Sequence, residues 1–245
     1  MSDNALTTTN PFGSGQVALA NADAMANALA GSSDKGQLGG APEGSQYVNF
    51  SGKRGAYEFG KDKEDIDNDE IWLVNVASFE DGFVCWKGGA PASTRMSNIY
   101  NGQPVPVPAS DELGPFDANK GEGWFAAKSM VFRSVEEDDR QGYFKINSKS
   151  GVAAMADLQA QVAERLRAGR PFWPLVSLDK EKFEAKGFKN YKPVFNIYGW
   201  LSQEAVAKLA ETDDFDIDEL IDLSEGKAVD EPVPAKGRRG RRAAL

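Results

Sequence analysis

Ten acidic residues against a single lysine, Lys227, fill the stretch from Glu211 to Glu231, and five basic residues with no acid fill Lys236 to Arg242. Blocks of this kind cannot enter a core, because each charge would have to give up its water. Whatever folds must be built upstream of them, and residues 204–245 read as a solvated interaction tail.

A second flank lies at the other end. Residues 1–44 are rich in Asn, Ala, Gly, Ser and Thr, and their only aromatic is Phe12. All five tryptophans and nearly all other aromatics fall in 45–203, a block long enough to bury a core of its own. The expected organisation is a flexible segment over 1–44, a β-rich core over 45–203 and the charged tail over 204–245. Of the formal net charge of −9, the first flank carries −3, the tail −4 and the core −2. A nearly balanced core remains compatible with one basic face.

The chain has no histidine and one cysteine, Cys85. Ser-His-Asp and Cys-His catalysis, His-ligated zinc, an intramolecular disulfide and a cysteine-rich metal site are therefore excluded. Cys85 lies in the apolar run Phe83-Val84-Cys85-Trp86 and reads as a core residue. No signal peptide and no long apolar run is visible, so a cytosolic chain, free of membrane, is expected.

The core patterns as strands. Tyr47–Phe50 and Ala56–Phe59 flank Gly52-Lys53-Arg54-Gly55, which is a hairpin signal. An acidic stretch, 62–70, precedes the strand Ile71–Val76. Glu80-Asp81-Gly82 is expected to turn the chain into a strand at Phe83–Lys87. Residues 88–122 are rich in Gly, Pro, Ser and Asn and read as an extended excursion or loop. Further strands are expected at Trp124–Val135, Gly142–Ile146, Trp173–Leu178 and Pro193–Trp200. Val152, Met155, Ala156, Leu158, Val162 and Leu166 recur at helical spacing, predicting one helix over 151–168 with Ser150 as N-cap and Gly169 as stop. Gln16–Ala30, Ala-rich with a shallow apolar stripe, is a weaker helical pattern. One late helix in a run of strands predicts a mainly β fold, an OB-like small barrel or closed sheet, with both flanks disordered.

Basic residues interleave with aromatic ones along this core: Lys53, Arg54 and Tyr57; Lys87 after Trp86; Trp124, Lys128 and Arg133; Phe144 and Lys145. Single-stranded nucleic acid calls for this pairing, since cations neutralise phosphates and flat rings stack on bases. The competing reading places the rings in the core, because about half of the positions in a barrel strand face inward. Trp72 and Trp86 in particular read as buried. In the tail, Phe215, Ile217, Leu220 and Ile221 are set among acids, the last three at i, i+3, i+4. Such a segment can fold onto a partner's groove, shield the protein's own basic face, or stay solvated.

Carboxylate clusters offer less. Asp65, Asp67, Asp69 and Glu70 have alternate spacing but lack the glycine and terminal glutamate of a calcium loop. Glu184-Ala185-Lys186 matches a short nuclease element, but sits in a highly charged stretch that reads as a solvated turn. No cofactor is expected.

Tyr47-Val48-Asn49-Phe50 with Gly52 and Gly60, then Gly82 through Gly88, then Gly123-Trp124, then Lys192-Pro193-Val194-Phe195 to Trp200 resembles bacteriophage and prophage proteins of replication and recombination, the OB-fold single-stranded DNA-binding proteins. The resemblance spans about 45–203. It implies binding of single-stranded DNA without catalysis or cofactor, with an acidic tail recruiting phage or host replication and recombination proteins. The chain ends Arg241-Arg242-Ala243-Ala244-Leu245 where those tails end in acids and an apolar tip. The alternative is a phage structural or assembly protein, a homo-oligomer in which the same aromatics are core or subunit interface.

Overall fold

The computed structural model describes residues 6–8, 17–19, 44–101, 103–136, 140–185 and 187–209. The fold is mainly β. Strands β1 (Leu6–Thr8) and β2 (Val17–Leu19) form a small antiparallel pair, so the Ala-rich stretch expected as a helix begins extended. The remaining strands make one sheet: β3 (Gln46–Ser51), β4 (Ala56–Phe59), β5 (Glu64–Asp65), β6 (Ile71–Lys87), β7 (Ala90–Asn98), β8 (Gly123–Ser134), β9 (Gln141–Ile146), β10 (Trp173–Ala185) and β11 (Phe188–Leu201). Their order is β11-β10-β6-β8-β9-β3-β4-β5, with β7 added to the outer part of β6. All pairs are antiparallel except β3 with β9. The expectation of disorder in the flanks, and the tail residues Phe215, Ile217, Leu220 and Ile221, lie outside the described residues.

The sheet curls into a half-barrel. Its two ends approach where the Tyr191 N–H of β11 donates to the Gly52 carbonyl of the β3–β4 turn at 2.8 Å. Gly55 in that turn has φ +64°, and a Cβ there would lie 2.6 Å from the Tyr191 ring and 2.8 Å from the Lys180 stem. Only glycine satisfies both the backbone and the contact. Inside the curl, Trp72 meets Phe132 edge-on at 4.8 Å, and Tyr57, Phe144 and Phe195 continue the ring cluster at 5.8 Å steps.

Two helices complete the core. Helix α1 (Lys149–Arg167) buries Met155, Leu158, Val162 and Leu166, the stripe its spacing predicts. Its cap is Ser148, two residues before the expected Ser150. Ser148 is the residue with extended backbone, and its hydroxyl accepts from the Gly151 N–H. Helix α2 (Gln203–Leu209) follows β11 and buries Ala205, Val206 and Leu209.

Two expectations need correction. Glu80-Asp81-Gly82 does not turn; β6 runs straight through it after a bulge at residues 76–79. The bulge is satisfied locally, with the Asn75 side chain accepting from the Ala77 N–H and the Ser78 hydroxyl donating to the Asn75 carbonyl. The two acids are satisfied at long range, Glu80 by Ser129 and Tyr143, Asp81 by Lys128. The excursion at 88–122 contains β7, whose polar sequence hides it because only Met96 is buried. At Gly82 a Cβ would lie 1.9 Å from the Arg95 carbonyl of β7. Gly82→Ala is therefore expected to push β7 outward and destabilise the protein by about 1–3 kcal/mol, read as a lower urea midpoint.

Candidate nucleic-acid interface

β10 pairs with β6 only over Leu175–Ser177, whereas its pairing with β11 continues to Ala185↔Phe188. Past Ser177 the two strands therefore run on as a two-stranded ribbon, tied to the β3–β4 turn at Tyr191. Register sorts its side chains, because residues directly opposite one another share a face. Lys180↔Pro193, Lys182↔Tyr191 and Glu184↔Lys189 lie on one face; Asp179↔Val194, Glu181↔Lys192 and Phe183↔Asn190 lie on the other.

The two faces differ in charge. On the first, Lys180, Lys182 and Lys189 are exposed, Tyr191 is half-buried, and the exposed turn residue Lys53 is brought alongside by the Gly52–Tyr191 bond. Four lysines thus stand against Glu184, and among the described residues none of the four makes an ion pair. The other face sets two acids, Asp179 and Glu181, against the single lysine Lys192. Lys192 pairs with Glu181 at 2.9 Å, and the Asn196 side chain donates to Asp179 at 3.0 Å. A groove of about 810 Å³ runs between that side of the ribbon and α1, floored by Leu158, Phe183, Val194 and Phe195. Its rim sets Lys149 and Lys192 against Asp157 and Glu181, so it offers no excess of positive charge. Of the two surfaces, only the lysine face is built to attract a polyanion.

The expected binding residues do not converge on one surface. Lys53 joins the lysine face. Arg54 lies in the same turn but is occupied by Glu58 at 2.6 Å and by both carboxylate oxygens of Asp65. Three expectations are corrected outright, since Tyr57, Phe144 and Lys128 are interior. Tyr57 and Phe144 belong to the ring cluster, and burial pushes the Tyr57 phenol well above its ordinary range. Lys128 is 5 % exposed, with its ammonium 2.7 Å from both oxygens of Asp81 and 2.9 Å from Gln159 of α1. Arg133 and Lys145 are half-buried on β8 and β9, and partial desolvation lowers the Lys145 pKa against the opposing pull of Glu80. Lys87 and Trp124 sit apart, on the wing made by the outer parts of β6 and β8 with β7. Trp72 is buried as expected, but Trp86 is half-buried, resting on the small cluster of Val84, Met96 and Ala127.

Lys180, Lys182, Lys189 and Tyr191 were not expected. Their signal was the alternation of Lys180 with Lys182, a period of two inside a stretch whose charge made it read as a turn. Among the described residues no group of three or more Cys, Asp or Glu is placed to hold a metal ion. No helix among them is long and apolar enough to cross a membrane. Comparison with protein-family models, with curated proteins and with solved structures gave no match.

Proposed function

We propose that this chain binds single-stranded nucleic acid without sequence preference, as a DNA-binding protein of phage replication or recombination, and that the lysine face of the β10–β11 ribbon is its principal contact. The observation that carries the reading is the row Lys53, Lys180, Lys182 and Lys189 beside Tyr191, uncompensated but for Glu184 among the described residues. Lysines two apart along a strand are about 7 Å apart, a spacing that suits successive phosphates of an extended single strand. Tyr191 supplies a ring for stacking, and nothing on the face presents a donor and acceptor pattern that would read a base edge.

Four phosphate contacts predict a plot of log affinity against log salt with a slope of about −3. Fluorescence anisotropy of a labelled oligo-dT, titrated at several salt concentrations, tests this. A flat salt dependence, or no binding at low salt, would overturn the reading; a large defined oligomer indifferent to DNA would favour an assembly protein instead.

The tail enters as a competitor. Tethering gives the acidic segment 211–231 an effective concentration of about millimolar for a short flexible linker. Truncation after Ala210 is expected to tighten DNA binding at low salt, with a smaller gain at high salt as screening takes over. Removing 236–245 alone is expected to weaken binding, because Arg238, Arg239, Arg241 and Arg242 then no longer offset the acids. Unchanged affinity in both truncations would assign the tail to partner proteins alone.

A further inference from the structure

The wing carries a second constellation that the ribbon does not use. Cys85↔Trp124 and Phe83↔Arg95 are directly opposite in the β6–β8 and β6–β7 registers, so these four side chains share a face. The Arg95 guanidinium stacks on Trp124 at 4.8 Å from the ring centre. Its two terminal nitrogens donate to the two carboxylate oxygens of Glu112, one of them at 3.2 Å. Trp124 Nε1 donates to the Glu112 carbonyl at 3.0 Å, and Lys87 Nζ to the Leu113 carbonyl at 2.6 Å. Among the described residues Lys87 has no carboxylate within ion-pair distance. The segment 112–117 thus lies across the face as a strap. Its far end is held by Glu122, which accepts from the N–H groups of Gly88 and Asp117 and is kept acidic by them.

A two-pronged carboxylate on a guanidinium occupies the same fork that a phosphate would take. An arginine stacked on tryptophan, with a lysine beside it that donates to a backbone carbonyl and lies over the Phe116 ring, is a phosphate-and-base site with a resident anion. The strap is held at the surface. Its fastenings are partly exposed polar contacts, its Leu113 is 47 % exposed, and its Phe116 is half-buried, with the Lys87 ammonium 5.8 Å from the ring centre.

We infer that Glu112 acts as an internal phosphate mimic, and that the strap covers a second nucleic-acid contact at Arg95, Trp124 and Lys87 from which the phosphodiester of a single strand displaces it. The inference rests on the nucleic-acid reading above but concerns different residues, so the two can fail separately. Cys85 is the natural reporter. It is the only thiol in the chain, it lies fully covered on the strapped face, and both Glu112 and Glu122 act on it electrostatically.

Glu112→Gln in the full-length chain keeps the shape of the side chain and removes its charge. It is expected to tighten oligo-dT binding about three- to fivefold at low salt and to speed maleimide labelling of Cys85, with bound oligonucleotide then slowing that labelling. The gain should persist when Lys180 and Lys182 are both changed to Glu. Faster labelling that oligonucleotide does not slow, or unchanged affinity, would overturn the strap proposal and leave the ribbon reading standing. Loss of all binding in Lys180→Glu/Lys182→Glu with no rescue by Glu112→Gln would do the same. Glu122→Gln, which loosens the far end without touching Arg95, is expected to shift labelling and affinity in the same direction. If Glu112→Gln does not fold, unchanged affinity in Glu122→Gln overturns the proposal.

Discussion

Changing Lys180 and Lys182 together to glutamate is expected to lower the affinity for single-stranded oligonucleotide about 100-fold at low salt. The reasoning is electrostatic. A single-strand contact contributes about 0.7 to the salt slope, so removing two of four lowers the slope from about −3 toward −1, and the reversed charges repel what remains. Extrapolated from high salt down to low salt, two lost contacts and two new repulsions amount to about two decades. Both side chains are exposed and unpaired among the described residues, so the fold should not register the change. Lys192→Glu is the matched control. It lies on the same ribbon but on the opposite face, already paired with Glu181, and is expected to alter affinity little. Anisotropy titrations of the two variants side by side, with thermal melts to verify folding, decide the matter; equal affinities would remove the ribbon from the interface.

The second large effect lies in the interior. Lys128→Ala is expected to destabilise the protein by about 3–5 kcal/mol, because it leaves the Asp81 carboxylate buried without its ammonium partner. The pair joins β6 to β8, and Gln159 ties both to α1, so the loss loosens three elements at once. Replacing the whole group by apolar residues, Asp81→Leu with Lys128→Met and Gln159→Leu, is expected to recover most of the stability, since no unpaired charge then remains. Urea unfolding of the single and triple variants measures both. DNA affinity in the triple variant should equal that of the parent chain, which separates a structural lysine from a binding one. A Lys128→Ala protein as stable as the parent would refute the buried pair.

Lys128 also shows where sequence reading stops. Between Trp124 and Phe132 it stands among aromatics as a surface lysine would, and nothing local distinguishes the two situations. What decides is Asp81, 47 residues earlier, and that pairing exists only once the sheet has formed. The same holds for β6, where Glu80-Asp81-Gly82 has the composition of a turn but the acids find partners on β8 and β9. Features carried by local periodicity were legible: the β3–β4 hairpin, the stripe of α1, the apolar strands through Trp72 and Phe132, and the mainly β class. β7 was hidden because an edge strand with one buried side chain shows no alternation of polarity. The ribbon was hidden for the opposite reason, since a period of two was present but written in lysines, where charge density drew the eye away from spacing.

The parallel pairing of β3 with β9 bears on how the chain comes off the ribosome. Gln46 and its partner Gly142 are separated by roughly 95 residues. At about 5–20 residues per second, the β3–β4 hairpin waits on the order of 5–20 s with one edge unsatisfied before its neighbour exists. Through that interval the edge is a template for any other extended segment, including the same hairpin on an adjacent nascent chain. The hairpin meets the hazard with short strands, and on β3 only Val48 ends up buried. Productive folding is then gated by the emergence of β9, which makes the rate of translation from the hairpin to the end of β9, residues 60–146, a determinant of yield.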